Sequence, residues 1–361
     1  MCFMHDRRNF YLAAFVSLLW FTASGLAAPP APEERAACET SDLQARLTAC
    51  PKLLKRDLEP ADRIMTLGNL AIAQRSAGKY KNALANFDKA LGIYTKAGID
   101  DPALKQVIVK EKGRTYTVQG KFAEAIPILK QALAINRENA DVVALLAWAQ
   151  LDLGDDDGAQ ATLDAATVVR GDAKWLPWLR GRLLYRKGDY AAARKQFERS
   201  LFGNEAFPDA WHYLAVVSLA EKNYDAAVKE ATRAIEYDQG FDSPLIVRGR
   251  ARAYLKDAGA AIDDFNRALA LRPGNPDAYH GQGLAYLQIG DWPKAEIMFR
   301  RALELAANHF ASWKGIGDVD VARGSPDSAR EAYKKAASFK PKTQEDRDLQ
   351  AEIAAAAERL N

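Results

Sequence analysis

The sequence predicts an all-α fold: a superhelical α-α solenoid of eight stacked helix pairs closed by a C-terminal capping helix. Three tracks of small residues predict it. Ala125, Ala159, Ala193, Ala227, Ala261, Ala295 and Ala329 stand 34 residues apart, and Ala83 leads them by 42, which places an eight-residue insertion around Ala97 to Leu104. Seven residues after each alanine comes a second small residue, from Ala90 and Ala132 through Ser200 to Ala336. Twelve before each comes a third, from Ala71 and Gly113 to Gly283 and Gly317. A fixed period of this length marks a repeat architecture, in which each unit buries its apolar face only against its neighbours.

Between the small positions lie large ones. Phe87, Leu129, Leu163, Phe197, Phe265, Phe299 and Tyr333 follow the alanine by four, and Tyr80, Phe122, Tyr190, Tyr224 and Trp292 precede it by three. Small residues let helix backbones approach, and large ones fill the remaining space. Gly78, Gly120, Gly154, Gly188, Gly290 and Gly324 divide each copy into two helices of about a dozen residues, and Pro273 and Pro341 end copies where a helix must stop.

The stretch from Pro276 to His309 carries Tyr279, Gly283, Tyr286, Gly290, Trp292, Ala295, Phe299 and Ala302, and on those residues the chain resembles the tetratricopeptide repeat family, in its exported bacterial form. The resemblance covers Asp62 to Lys342, so residues 62–343 are assigned to the repeat array. Departures sit in the third copy, with Asp156 in the aromatic place, and in the fifth, with Lys222 for the turn glycine and Ala231 for the large residue. Looser packing is expected there. Residues 344–361 are expected to form the capping helix, started by Thr343-Gln344-Glu345-Asp346 and burying Leu349, Ile353 and Leu360 on one face.

Residues 1–27 read as a signal peptide: Arg7 and Arg8 in the head, an apolar run from Tyr11 to Leu26, and the small-x-small site Gly25-Leu26-Ala27. An uncleaved anchor is the alternative, and both readings place the repeats outside the cytoplasm, in the periplasm or beyond. Residues 28–61 form a Pro-rich linker and a short helix capped by Thr40 or Ser41. In an oxidising compartment Cys38 and Cys50 pair as a disulfide; two buried free thiols are the alternative reading.

The chain is 48% hydrophobic and 27% charged, enough apolar surface for a folded core, and its net charge of +3 offers no basic field to drive nucleic-acid binding. No phosphate loop, nucleophile elbow or His-Glu-x-x-His occurs, so neither catalysis nor a cofactor is expected. Asp155-Asp156-Asp157-Gly158 lacks the first ligand of a calcium loop, because Leu153 holds that place. His212 and His280 lie 68 residues apart, two repeats, which argues against a shared metal and for surface or partner-contact roles.

The resemblance implies that the first helix of each pair lines a binding groove and that the residue after the small one points into it. Those places hold Arg114, Trp148, Arg182 and Arg250, and one turn earlier stand Lys110, Trp178 and His212, with Tyr185 and Tyr213 nearby. Arginine forks among aromatics suit an extended or acidic partner segment, whereas the plainer reading has solvated arginines and tryptophans packed between repeats. Lys110 fits one place of the carboxylate clamp some relatives use, but Arg114 stands where asparagine is expected. The expected function is an exported protein-interaction scaffold. An accessory subunit of a cell-envelope enzyme or assembly complex, or a passive structural spacer, is the alternative.

Overall fold

A computed structural model describes residues 32–166, 175–203, 205–341 and 344–360. All regular structure among them is helical, in two compact units. The first holds α1 (Pro32–Glu39), α2 (Leu43–Leu53), α3 (Pro60–Ser76), α4 (Tyr80–Lys96), α5 (Pro102–Val118), α6 (Phe122–Ile135), α7 (Ala140–Leu153) and α8 (Asp156–Asp164). The second holds α9 (Trp175–Lys187), α10 (Tyr190–Leu201), α11 (Pro208–Ala220), α12 (Tyr224–Tyr237), α13 (Asp242–Tyr254), α14 (Ala258–Leu271), α15 (Pro276–Gln288), α16 (Trp292–Leu305), α17 (Phe310–Ala322), α18 (Pro326–Ala337) and α19 (Gln344–Glu358). From α3 to α18 consecutive helices pack as pairs, one for each copy in the sequence.

The turn inside each pair is built by two residues with different tasks. Gly188 and Gly290 take left-handed backbone conformations (φ +83° and +78°), and the next residue caps the following helix: Asp189 and Asp291 accept from the N–H groups of Ala192 and Lys294. Asp155 does the same for α8, accepting from Gly158, so the aspartate run is a helix start. Where glycine is missing, Lys222 and Lys256 adopt the left-handed conformation themselves (φ +60° and +68°), a strain of about 1–2 kcal/mol each for a residue with a Cβ. The inserted residues are taken up largely as helix. Both α4 and α5 run 17 residues, against 14 in α6 and α7.

All eight periodic alanines, from Ala83 to Ala329, are fully buried, as expected where helix backbones approach closely. Copy three has the short second helix α8, nine residues long. Copy five keeps full-length helices despite Ala231, which packs among Val216, Tyr224, Val228 and Val247. Ile353 of α19 is buried, and Leu349 of the same helix and Leu360 just beyond its end join it against Ala329 and Tyr333, which covers the last repeat. Thr343 lies outside the described residues, as does the expected signal segment, 1–27. No described helix is long and apolar enough to cross a membrane.

The region before the repeats departs from expectation. It forms two helices, and the cap of α2 is Asp42, whose Oδ1 accepts from the N–H groups of Gln44 (2.8 Å) and Ala45 (3.1 Å). The Thr40 hydroxyl oxygen instead accepts from the Asp42 N–H, so it is spent one step upstream. A disulfide joins Cys38 on α1 to Cys50 on α2, and both residues are buried against Leu53, Leu58 and Leu70. Reduction, or the Cys38→Ser/Cys50→Ser pair, is expected to weaken this segment by about 3 kcal/mol, read as faster amide exchange in α1 and α2 while α5–α7 are unchanged. Equal exchange in the oxidised and reduced chain would contradict it.

Candidate functional site

In the first unit, Lys110 and Arg114 stand one turn apart on α5 and close over a buried carboxylate. Glu111 Oε2 lies 2.6 Å from Arg75 Nη1 on α3, and its Oε1 lies 3.6 Å from Lys110 Nζ and 3.9 Å from Arg114 Nη1. Asp141, on α7, reaches the same two cations at 3.4 and 3.8 Å. Burial alone would raise the Glu111 pKa, but Arg114, Arg75 and Lys110 outweigh it and hold the carboxyl far below its usual range. The basic charge at these two places is therefore matched internally by carboxylates. Trp148, on α7, is half-buried and donates its indole N–H to Asp152 Oδ2 (2.6 Å).

In the second unit the aromatic residues divide between interior and surface. Trp178 is only 2% exposed, edge-on to Trp175 (5.5 Å) and Tyr213 (5.6 Å), with Phe207 tilted against it at 6.2 Å. His212 is 7% exposed and packs edge-on to Tyr213 and Phe241, each at 5.2 Å. These two depart from the expected groove contacts. Phe207, in the link ahead of α11, lies tilted against Trp178, and Phe241, ahead of α13, meets His212 edge-on. Arg182, Tyr185, Tyr213 and Arg250 remain half-buried. The Arg182 guanidinium lies 4.9 Å from the Trp178 ring centre and 5.6 Å from that of Tyr213, a cation–π seat that fixes its direction. Tyr185 packs 5.5 Å from Tyr190.

A third cluster joins the seventh and eighth copies. Ser312 Oγ is 2.8 Å from His309 Nδ1 and 3.2 Å from His280 Nδ1, and His309 Nε2 is 3.1 Å from Asp277 Oδ1. Serine, histidine and carboxylate thus form a chain, but Ser312 is fully buried and its hydroxyl is shared by two imidazoles, so no substrate reaches it. Among the described residues no group of three or more His, Cys, Asp or Glu is placed to hold a metal ion.

Burial, with the charges of His309, Arg250 and Lys314, holds His280 well below its usual pKa; Asp277 alone opposes them. A histidine kept neutral in the fold and free to protonate when unfolded gives stability that is full above the unfolded pKa and is lost as pH falls below it. The melting temperature is therefore expected to drop between about pH 7 and pH 5, and to drop less in His280→Gln. Equal drops in circular-dichroism melts would assign the effect to other groups.

Glu111, Asp141, Phe207 and Ser312 were not singled out by sequence reasoning. A usable signal exists, because polar partners recur just under one repeat apart. Lys110 meets Asp141 at a separation of 31, Asp277 meets His309 at 32 and Asp242 meets Asn275 at 33.

Comparison with known proteins agrees with this architecture. Family models described as tetratricopeptide repeat match residues 61–138, 118–175, 179–241 and 252–317. Heat shock protein STI1 of Saccharomyces cerevisiae is 32% identical over 100 residues, 27% of this chain and 17% of that protein. Anaphase-promoting complex subunit 3 of Schizosaccharomyces pombe is 25% identical over 116 residues, 32% of this chain and 17% of that protein. The chain thus spans less than a fifth of the length of either. Among solved structures, the human IFIT1 dimer with PPP-AAAA superposes with a TM-score of 0.63 at 18% identity, over 89% of this chain and 78% of that one. The APC/C hetero-tetramer Cut9-Hcn1 gives 0.59 at 16% identity, over 91% and 62%. With its helix pairs, its phased alanines and these matches, the chain belongs to the tetratricopeptide repeat family, whose members serve as protein–protein interaction scaffolds.

Proposed function

We propose that this chain is an exported scaffold that holds an extended, acidic segment of a protein partner against the first helices of its second unit. The observation that carries the reading is the seat of Arg182 on Trp178 and Tyr213. A guanidinium fixed over rigid rings loses little side-chain freedom when its fork meets a carboxylate, and buried aromatics beside arginine are the usual composition of a binding hot spot. Tyr185 stands one turn along α9 from Arg182, and Arg250 holds the equivalent repeat place on α13. Lys110 and Arg114 belong to the first unit, where they stand against Glu111 and Asp141. Export is supported by the signal-like 1–27 segment and by the Cys38–Cys50 disulfide, a bond that persists in oxidising compartments. A polypeptide partner, rather than nucleic acid, fits a net charge of only +3.

The test is a pull-down from the native host with wild type, Arg182→Glu and Arg250→Glu. Arg182→Glu is expected to lose a partner that wild type retains, with unchanged circular dichroism. Equal recovery by all three would end the groove assignment. Cell fractionation of a C-terminally tagged chain tests export, and recovery in the cytoplasm would remove that part.

A further inference from the structure

A cleft of about 600 Å³ opens in the second unit between the end of α10, the start of α11 and the middle of α12. Leu201, Phe202, Trp211 and Leu214 form its apolar walls, and Glu198, Glu205 and Glu230 bring three carboxylates to it; no basic side chain is among the described residues that line it. Its lining comes from α10 and α12, from the link 202–205 and from Trp211 and Leu214 on α11, the helix that also carries Tyr213.

Phe202 is 92% exposed. The same register in the other copies holds Gly92, Ala134, Val168, Glu236, Ala270, Glu304 and Ser338, so only the fourth copy carries an aromatic there. Burial of its ring in the fold does not explain it. Trp211 is also fixed in place, because its indole N–H donates to the Glu205 carbonyl (2.8 Å). The charges are not matched within the cleft. Arg194 and Ser218 satisfy Glu230, but Glu198 and Glu205 make no ion pair among the described residues. Arg233, whose charge feels Glu205, is bonded to Glu236 instead (3.2 Å).

Apolar walls below two uncompensated carboxylates suit a side chain that is apolar along its stem and cationic at its tip. We infer that this cleft docks an arginine-bearing segment of a protein partner, its stem against Leu201, Leu214 and Phe202 and its guanidinium between Glu198 and Glu205. Arginine fits better than lysine because its planar head both stacks on Trp211 or Phe202 and forks a carboxylate. The site does not depend on the acid-binding face proposed above, and the chain would then hold oppositely charged segments through different residues, with α11 contributing to both.

The test uses the full chain labelled with ¹⁵N-tryptophan, with the Trp211 indole signal assigned through Trp211→Phe. The probes are acetyl-Leu-Arg-Leu-Arg-amide and acetyl-Leu-Glu-Leu-Glu-amide. A saturable shift of the Trp211 signal is expected with the arginine peptide and none with the glutamate peptide, while the Trp178 signal stays still. Glu198→Gln/Glu205→Gln and Phe202→Ser are each expected to weaken binding about tenfold, with unchanged circular dichroism. Equal shifts with both peptides, no saturable shift, or undiminished binding by the charge-neutralised chain would overturn the proposal. A Trp211 shift that follows protein concentration without peptide would give the cleft to a second copy and overturn it as well.

Discussion

Asp264→Ala is expected to raise amide exchange in α13 and α14 by about a hundredfold or more, the equivalent of 3–5 kcal/mol. Asp264 is 1% exposed and accepts both arms of the Arg248 fork, at 2.9 and 2.7 Å, and a third bond from Arg252 at 2.8 Å. Arg248 also donates to the Thr232 hydroxyl (3.1 Å) and is itself buried. Removing the carboxylate leaves the Arg248 charge in the interior, whereas Arg252, at 28% side-chain exposure, turns to water. The asymmetry gives the control. Replacing the buried pair together, as Asp264→Leu/Arg248→Met, removes charge and countercharge and is expected to lie much nearer wild type, because a buried pair contributes little net stability over apolar residues of similar volume. A double variant as weak as the single one would show that the carboxylate acts through shape rather than charge.

This network also marks what the sequence concealed. Arg248 stands one residue before the small Gly249, on a helix read for its groove-facing places, and its polar character gave no hint of burial. The repeat period itself was legible because it rests on residue size: only small side chains let helices approach, so alanine and glycine recur wherever backbones meet. Charge carries no such constraint. Lys110 and Arg114 were found at their places on α5, but the carboxylates that match them were not: Asp141, 31 positions along the chain, becomes a neighbour only after the pairs stack, and Glu111, beside Lys110 in sequence, is marked as buried only by its pairing to Arg75 on α3. Trp178 and His212 were misplaced for a related reason. Their helix positions follow the repeat register, yet whether they face water depends on Phe207 and Phe241, which stand 34 residues apart in the links between pairs, at a place where the next copies carry Asn275 and His309 instead of an aromatic. The insertion after the first copy was counted from the spacing, but its conversion into longer helices was set by how α4 and α5 continue to pack.

Phe299→Ala is expected to be as damaging as Asp264→Ala, by a different route. Its ring is fully buried between Gly283 on α15 and Gly315 on α17, and a Cβ built on either glycine would lie 2.5 Å from the ring. Truncation of a buried phenylalanine costs about 3–5 kcal/mol, and the upper end applies where the surroundings cannot collapse. Glycine walls have no side chains to swing inward, so the cavity stays open. Because copies stack only on neighbours, the lost interface also frees what lies beyond it. Amide exchange is expected to rise across α15–α19 and to stay at wild-type rates in α9–α12. The converse change, Gly315→Ala, forces the ring aside and is expected to cost about 1–3 kcal/mol. Joined to Phe299→Leu, which withdraws the ring edge from that spot, it is expected to cost less than the two single changes together, since residues in contact do not act additively. Simple additivity would mean that the ring and the glycine are not one packing unit, and the sandwich of aromatic between small residues would lose its claim to explain the repeat.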